Sequence, residues 1–281
     1  MIGSHNSTAI KTHDNDSNLN TWEYLVKRLS PVWWNSIIVN QTKTISEQIK
    51  EGVSALDIRI VMYNNKLYTT HRDIVDTFDN FIEQLKLGME ETTNIPTIFI
   101  VIDWNFHEKT KFPIWQETLR KAKEELLAIN VPEDKIYTGT SWSNFIDSPK
   151  PVKKFYKEKE SNLNDYRDFL KGLDHYNDVK VIFTQNTSKT TLIILELFIR
   201  IFIPILFFII SLILRILGKI NNIEVIISLF GSFFYMIIQA YIKGLYNTPK
   251  TLHKTKNYEE LENLANSFSN PEYIFFMVDF F

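Results

Sequence analysis

Two histidines, one arginine and a handful of carboxylates stand at spacings in this chain that suit acid–base chemistry on a phosphate ester. His5 lies within Ile2-Gly3-Ser4-His5-Asn6-Ser7, and His71, 66 residues further on, closes Leu67-Tyr68-Thr69-Thr70-His71. Between them runs Gln48-Ile49-Lys50-Glu51-Gly52-Val53-Ser54-Ala55-Leu56-Asp57-Ile58-Arg59-Ile60. Cleaving a phosphodiester with an internal hydroxyl requires a base for that hydroxyl, an acid for the leaving alkoxide and positive charge on the non-bridging oxygens. Histidine titrates near neutrality and serves either proton-transfer role. Arginine presents a fixed fork of donors that matches two phosphate oxygens. The other histidines, His13, His107, His175 and His253, have no such neighbourhood and read as structural or surface residues.

Elements of regular structure must hold these groups together. The segment before Asp57 reads as a helix over Ile45 to Glu51, a glycine turn at Gly52, and a strand from Ala55 to Val61. Asp57 and Arg59 are two apart in that strand and therefore share one face, the face expected to line a site. A second strand, Lys66 to Thr70, delivers His71, after which Ile74, Phe78, Phe81, Ile82 and Leu85 repeat at helical spacing. Pro96 to Asp103 is a continuous β-branched run ending in an acid, the pattern of a fully buried parallel strand. A charged helix over Trp115 to Ile129, a strand at Lys135-Ile136-Tyr137, a strand from Val179 to Thr184 and a last strand from Ile274 to Asp279 follow. Short amphipathic helicity is also expected over Trp22 to Leu29. Ser148-Pro149-Lys150-Pro151 reads as a turn and Lys153 to Glu160 as a solvated charge run. Strands alternating with helical stretches favour a parallel α/β sheet.

The 281 residues are 44% apolar, enough for one large domain with an insertion. A formal net charge of −2 gives no basic field, so nucleic acid is not an expected partner. With no cysteine, disulfides, thiolate metal sites and cysteine nucleophiles are excluded. The first residues have neither a basic region nor an apolar core of the kind a cleavable secretory signal needs, so none is expected. Residues 190–245 stand apart. Ile201 to Leu214 is uncharged for 14 residues and Val225 to Ile242 for 18, with a polar tip around Gly218-Lys219-Ile220-Asn221-Asn222. Both segments approach the roughly 20 residues that span a bilayer. A membrane-embedded or re-entrant helical hairpin is the first expectation, with interfacial helices and a buried soluble hairpin as alternatives. Lys189, Lys243, Lys250, Lys254 and Lys256 flank the hairpin, against Arg215 and Lys219 in its tip, which predicts a membrane-associated protein with the rest of the chain on the cytoplasmic side.

The stretch from His5 to His71, with Leu56-Asp57-Ile58-Arg59 between, resembles the catalytic X domain of phosphatidylinositol-specific phospholipases C. The resemblance is strong over residues 1–71, moderate over 97–103 and 274–281, and weak in between. It implies a (β/α)8-type TIM barrel in two parts, residues 1–189 and 246–281, interrupted by the hydrophobic hairpin at 190–245. Only Met1 and Ile2 precede Gly3, so the first barrel strand is expected to be nearly absent and the barrel incomplete there. By the same resemblance, His5 is the base that deprotonates the inositol 2-hydroxyl and His71 the acid that protonates the departing diacylglycerol oxygen. Arg59 sits against the phosphate, Asp279 orients the base histidine, and Asn6, Asp57 and Asp103 complete the site. Asp57-Ile58-Arg59 matches the bacterial, metal-independent pattern, in which arginine takes the place of a cation, so no cofactor is expected. The less favoured alternative is a weak divalent ion such as calcium held by Asn6, Asp57 and Asp103.

The expected function is cleavage of phosphatidylinositol, or a related glycerophospholipid or GPI headgroup, to diacylglycerol and a cyclic inositol phosphate at a phospholipid membrane. One rival is a catalytically inactive lipid-binding or scaffold barrel. Another is a phosphodiesterase of the glycerophosphodiesterase or sphingomyelinase D type, which needs acids on the second strand to bind magnesium and is disfavoured by Arg59.

Overall fold

Thr97–Ile102 shows how the architecture follows from the sequence, because after Thr97 its residues are apolar on both faces and both faces are covered. The computed structural model describes residues 1–4, 7–9, 24, 28, 41–71, 74–103, 112–155, 163–173, 177–184 and 258–278. Ten strands are described: β1 (Ile2–Ser4), β2 (Ala55–Tyr63), β3 (Lys66–Thr70), β4 (Ile74–Thr77), β5 (Thr97–Ile102), β6 (Ile136–Ser141), β7 (Asn144–Asp147), β8 (Val152–Phe155), β9 (Val179–Phe183) and β10 (Ile274–Val278). The described helices are α1 (Ile45–Lys50), α2 (Phe78–Glu91), α3 (Phe112–Ala128), α4 (Leu163–Lys171) and α5 (Tyr258–Asn266).

Eight of the ten strands form one path, β7-β6-β5-β2-β1-β10-β9-β8, in which every adjacent pair is parallel except β6 and β7, while β3 and β4 extend antiparallel from β2. Side chains alternate across it. On β5, Ile98, Ile100 and Ile102 join Leu56, Ile58 and Ile60 of β2 in a cluster under α1, α2 and α3. On the other flank, Ile182, Ile274, Phe276 and Val278 pack with Tyr166, Leu261 and Leu264 of α4 and α5. The opposite parity, Ala55, Phe99, Tyr137, Val181, Phe275 and Met277, meets in a third cluster. Phe99 of β5 and Phe275 of β10 are not on neighbouring strands, yet their ring centres lie 5.7 Å apart. Trp142, after β6, and Phe183 of β9 are 4.9 Å apart. Such contacts require the sheet to curl on itself around a filled interior, with helices outside, which is the (β/α)8-type barrel.

The first strand, expected to be nearly absent, is present as three residues and is paired on both sides. Gly3 stands opposite Met277 of β10 and Ala55 of β2. A Cβ on Gly3 would come within 2.6 Å of the Met277 sulfur and 3.1 Å of the Ala55 Cβ, so the barrel narrows here around a residue without a side chain. The wall is instead open on the far side, where among the described residues no pairing joins β8 to β6 or β7. Antiparallel β7 occupies the free edge of β6.

Local chemistry sets the element ends. Thr44 and Glu47 form a reciprocal capping box that starts α1. Asn64 and Asn65, at φ 48° and 61°, make the two-residue turn between β2 and β3, a geometry that asparagine tolerates. Two expectations are corrected. Ile74 begins strand β4, not a helix, because Thr77 caps α2 by accepting the Asn80 N–H, and Thr70 pairs with Ile74. Lys153 to Phe155, read as part of a solvated charge run, belong to β8, paired in parallel with β9.

By contacts the chain divides into two units: Met1–Leu19, Ile38–Asn186 and Thr255–Phe281 form one, and Asn20–Ile37 with Thr187–Lys254 the other. Only Tyr24 and Arg28 are described in the second, both helical, with the guanidinium carbon 5.1 Å from the ring centre. Most of the helix expected over Trp22 to Leu29 and all of the hairpin at 190–245 lie outside the described residues. No helix among the described residues is long and apolar enough to cross a membrane.

The close approach of α1 and α2 gives a test. A Cβ on Gly88 of α2 would lie 2.9 Å from the Ile49 Cδ1 and 3.1 Å from the Ser46 Cα, whereas at Gly172 the nearest atom is 3.5 Å away. Helix propensity alone favours alanine over glycine by about 1 kcal/mol, and overpacking costs about 1–3 kcal/mol. Gly88→Ala is therefore expected to lower the urea midpoint, while Gly172→Ala leaves it level or raises it. A rise with Gly88→Ala would show that the two helices separate freely.

Candidate active site

The described candidate residues lie along β2 and just after β3 and β5, and two of them, Arg59 and Asp103, line one cleft. On β2 the inward parity of Ala55 continues through Asp57 and Arg59, as their spacing predicts. The Asp57 side chain is fully buried, the Arg59 side chain is 25% exposed, and Arg59 Nη2 lies 4.0 Å from Asp57 Oδ2. Asp103 follows β5 directly, is buried, and lines the same cleft as Arg59. His71 is buried at the end of β3. The antiparallel register pairs Ile60 with Thr69, so the chain reaches His71 at the level of the Asp57–Arg59 stretch.

The remaining candidates, His5, Asn6 and Asp279, lie outside the described residues. Ser4 pairs with both Leu56 and Val278, so one rung across three parallel strands precedes His5, Asp57 and Asp279. Beyond Asn6, Ser7 is buried and held on several sides. Its N–H donates to the Asp57 carbonyl at 2.8 Å, and its hydroxyl accepts the Asp57 N–H at 2.9 Å and donates to the Ser4 carbonyl at 2.8 Å. Its own carbonyl accepts from Gln48 Nε2 at 3.0 Å, while Gln41 Nε2 donates to the Val278 carbonyl at 3.1 Å.

Arg59 opens onto a cleft of about 270 Å³ lined also by Asp103, Ser141, Trp142, Ser143 and Lys154. Ser141 ends β6 and Ser143 lies in the turn to β7, with their hydroxyl oxygens 2.9 Å apart. Lys154 is solvent-accessible, with its ammonium 5.2 Å from the centre of the Phe183 ring. Desolvation holds its pKa below the usual lysine range and repulsion from Arg59 adds to this, while Asp57 pulls the other way. The cleft thus combines two cations, one carboxylate and hydroxyls above an aromatic floor, a composition suited to a small polar anion. Among the described residues no group of three or more His, Cys, Asp or Glu could hold a metal ion, and the alternative set also includes Asn6, outside them.

No family model matches the chain, and no curated protein matches it in sequence. Among solved structures it is similar to phosphatidylinositol-specific phospholipase C from Staphylococcus aureus. A pentafluoro-Phe-incorporated form of that enzyme is 15% identical, over 67% of this chain and 72% of the other, with a TM-score of 0.41. Another structure of it, concerned with modulation of membrane binding, is 12% identical over 100% of this chain and 85% of the other, with a TM-score of 0.48. Likenesses of this degree decide neither the family nor the reaction.

Lys154 and the Ser141-Trp142-Ser143 turn are cleft residues that sequence reasoning missed. Their one signal is the alternation in Val152-Lys153-Lys154-Phe155, where Val152 and Lys154 share a face, and the neighbouring lysine masks it. Ser7 was in plain view beside His5, but nothing in the sequence says that its hydroxyl caps a backbone group of another strand. Ser7→Ala leaves the buried Asp57 N–H without its acceptor, which costs about 1–3 kcal/mol. The expected result is a loss of that size in urea unfolding. A variant as stable as the parent would show that the hydroxyl is dispensable to the join between β1 and β2.

Proposed function

We propose that the chain is a phosphodiesterase that cleaves phosphatidylinositol, or a related glycerophospholipid or GPI headgroup, into diacylglycerol and a cyclic inositol phosphate. The observation that carries this reading is Arg59, accessible in an open cleft at the carboxyl ends of the barrel strands and backed by the buried Asp57 carboxylate. In such a barrel that end is where chemistry is assembled. His5 takes the proton of the inositol 2-hydroxyl as its oxygen forms a bond to phosphorus. The bond from phosphorus to the diacylglycerol oxygen breaks, and His71 gives that oxygen a proton. Arg59 neutralises the non-bridging oxygens, where negative charge grows in the transition state. Asp57 keeps the guanidinium oriented, and Asp103 contributes an acceptor for headgroup hydroxyls. Asp279 orients His5 and Asn6 supports the acid step. Turnover proceeds without a divalent ion, and residues 190–245 hold the enzyme at the membrane with the barrel on its cytoplasmic side.

Phosphorus NMR of the purified protein with phosphatidylinositol vesicles and chelator tests the reading. A cyclic phosphate signal is expected, and His5→Ala or His71→Ala should lower its rate by about 10²–10⁴-fold. Absence of product both with chelator and after addition of calcium or magnesium would leave a lipid-binding or scaffold barrel. Arg59→Lys keeps the charge but loses the two-pronged contact, and kcat/KM is expected to fall by about 10²-fold. A loss below about threefold would mean that Arg59 does not hold the reacting phosphate.

A further inference from the structure

The ribbon of β2 and β3 is longer than the wall that carries it. β2 pairs with β5 as far as Ile60 and Ile102, and its last three residues, Val61, Met62 and Tyr63, run on beyond that rung beside β3. At about 3.3 Å per residue, the tip stands roughly 10 Å past the carboxyl end of this part of the wall, where the Arg59 cleft opens. The two faces of the ribbon differ. Ile60, Met62 and Leu67 pack into the cluster beneath the helices, which fixes the ribbon to the core. The other face continues from Arg59 and carries Val61, Tyr63, Lys66 and Tyr68, because residues opposite one another in an antiparallel pair share a face. Tyr63 and Tyr68 are half-buried with ring centres 6.4 Å apart, and Asn64, Asn65 and Lys66 are exposed. In a chain of 33 acids none occurs between Asp57 and Asp73, an interval that contains Arg59, Lys66 and Arg72, so the ribbon presents no charge that an anionic surface would repel. The proposed reaction gives none of the tip residues a step. A tyrosine ring with its hydroxyl at one end suits the boundary between acyl chains and headgroups, and a lysine on a long stem keeps its charge among anionic headgroups.

We propose that the tip of the β2–β3 ribbon, through Tyr63, Tyr68 and Lys66, is a docking surface for an anionic phospholipid bilayer. This rests on the phosphodiesterase reading, and two measurements on the full chain separate the fates of the two. The chain has no cysteine, so one introduced by Lys66→Cys at the tip, or by Glu272→Cys just before β10 at the amino end of the barrel, can be labelled alone with a fluorophore. On vesicles of phosphatidylcholine and phosphatidylinositol that carry a lipid spin-labelled near its headgroup, the label at position 66 is expected to be quenched and the label at position 272 to stay bright. Adding Tyr63→Ser and Tyr68→Ser should remove the quenching. No quenching at the tip, equal quenching at both positions, or a change that follows protein concentration without lipid, as docking of a second copy would give, overturns the proposal. In the second measurement, kcat/KM on phosphatidylinositol vesicles is compared with that on a short-chain phosphatidylinositol kept monomeric. Tyr63→Ser with Tyr68→Ser should lower only the vesicle value, by about tenfold, the scale of partly burying two rings. An equal fall on both would put the tyrosines on the substrate in place of the bilayer and overturn the proposal too. Should the double variant fail to fold, Lys66→Gln is read in its place, with the vesicle value expected to fall about fivefold and the monomer value to hold. Quenching at the tip of a protein that turns over neither substrate upholds the docking surface and removes the catalytic reading. Turnover of both without quenching at the tip does the reverse.

Discussion

The exchange of hydrogen bonds between Ser7 and the backbone of Asp57 is the constraint on which the rest of the site depends. β1 ends at Ser4, so beyond Leu56 the edge of β2 has no strand to satisfy it on that side. Buried backbone groups must find partners, and Ser7 supplies both, one from its main chain and one from its hydroxyl. The two residues between Ser4 and Ser7 are His5 and Asn6 of the proposed site, and the residues on either side of them are each bonded to β2. Register follows. Leu56, Ile58 and Ile60 are packed under helices while Asp57 and Arg59 face inward, so a slip of one residue would drive an acid and a base into an apolar layer.

The interior explains why charge is useful at the mouth. Below the cleft the barrel is filled by Phe99, Tyr137, Trp142, Phe183 and Phe275, whose contacts cross from one wall to the other. The floor is therefore apolar and the cleft shallow. Charges above such a floor interact more strongly than they do in water. Asp57 is tolerable there because a guanidinium faces it, since a buried carboxylate without a partner is costly. The depressed pKa of Lys154 reflects the same setting, being due first to desolvation and then to Arg59.

What was legible in the sequence was what alternation and caps encode. β3 has the predicted bounds, and β2, β5 and β10 lie within a residue or two of theirs, because each carries a long apolar period with a clear stop. The shared face of Asp57 and Arg59 followed from their spacing alone. Legibility failed where polar residues do tertiary work. Ile74 and Phe78 fit one helical stripe, and only the cap at Thr77 divides them into strand and helix. Lys153 and Lys154 look alike in sequence but point to opposite faces of β8. The opening of the wall opposite β1 depends on β7 folding back onto β6, a long-range outcome that no local pattern states.

Strand pairing is uneven around the mouth of the barrel. On the proposed catalytic side, β10, β1, β2 and β5 are laddered in parallel and locked by side-chain bonds from Ser7, Gln41 and Gln48. Groups that share a reaction coordinate need to be held within fractions of an ångström. Across the mouth, Ser141 ends β6, Ser143 lies in the turn after it and Lys154 belongs to a short strand on the other side of the open seam, and register shifts interrupt the β6–β7 pairing. Lysine reaches the cleft from the less constrained side, and arginine, anchored by a buried acid, from the more constrained one, where a rigid fork of donors keeps its orientation.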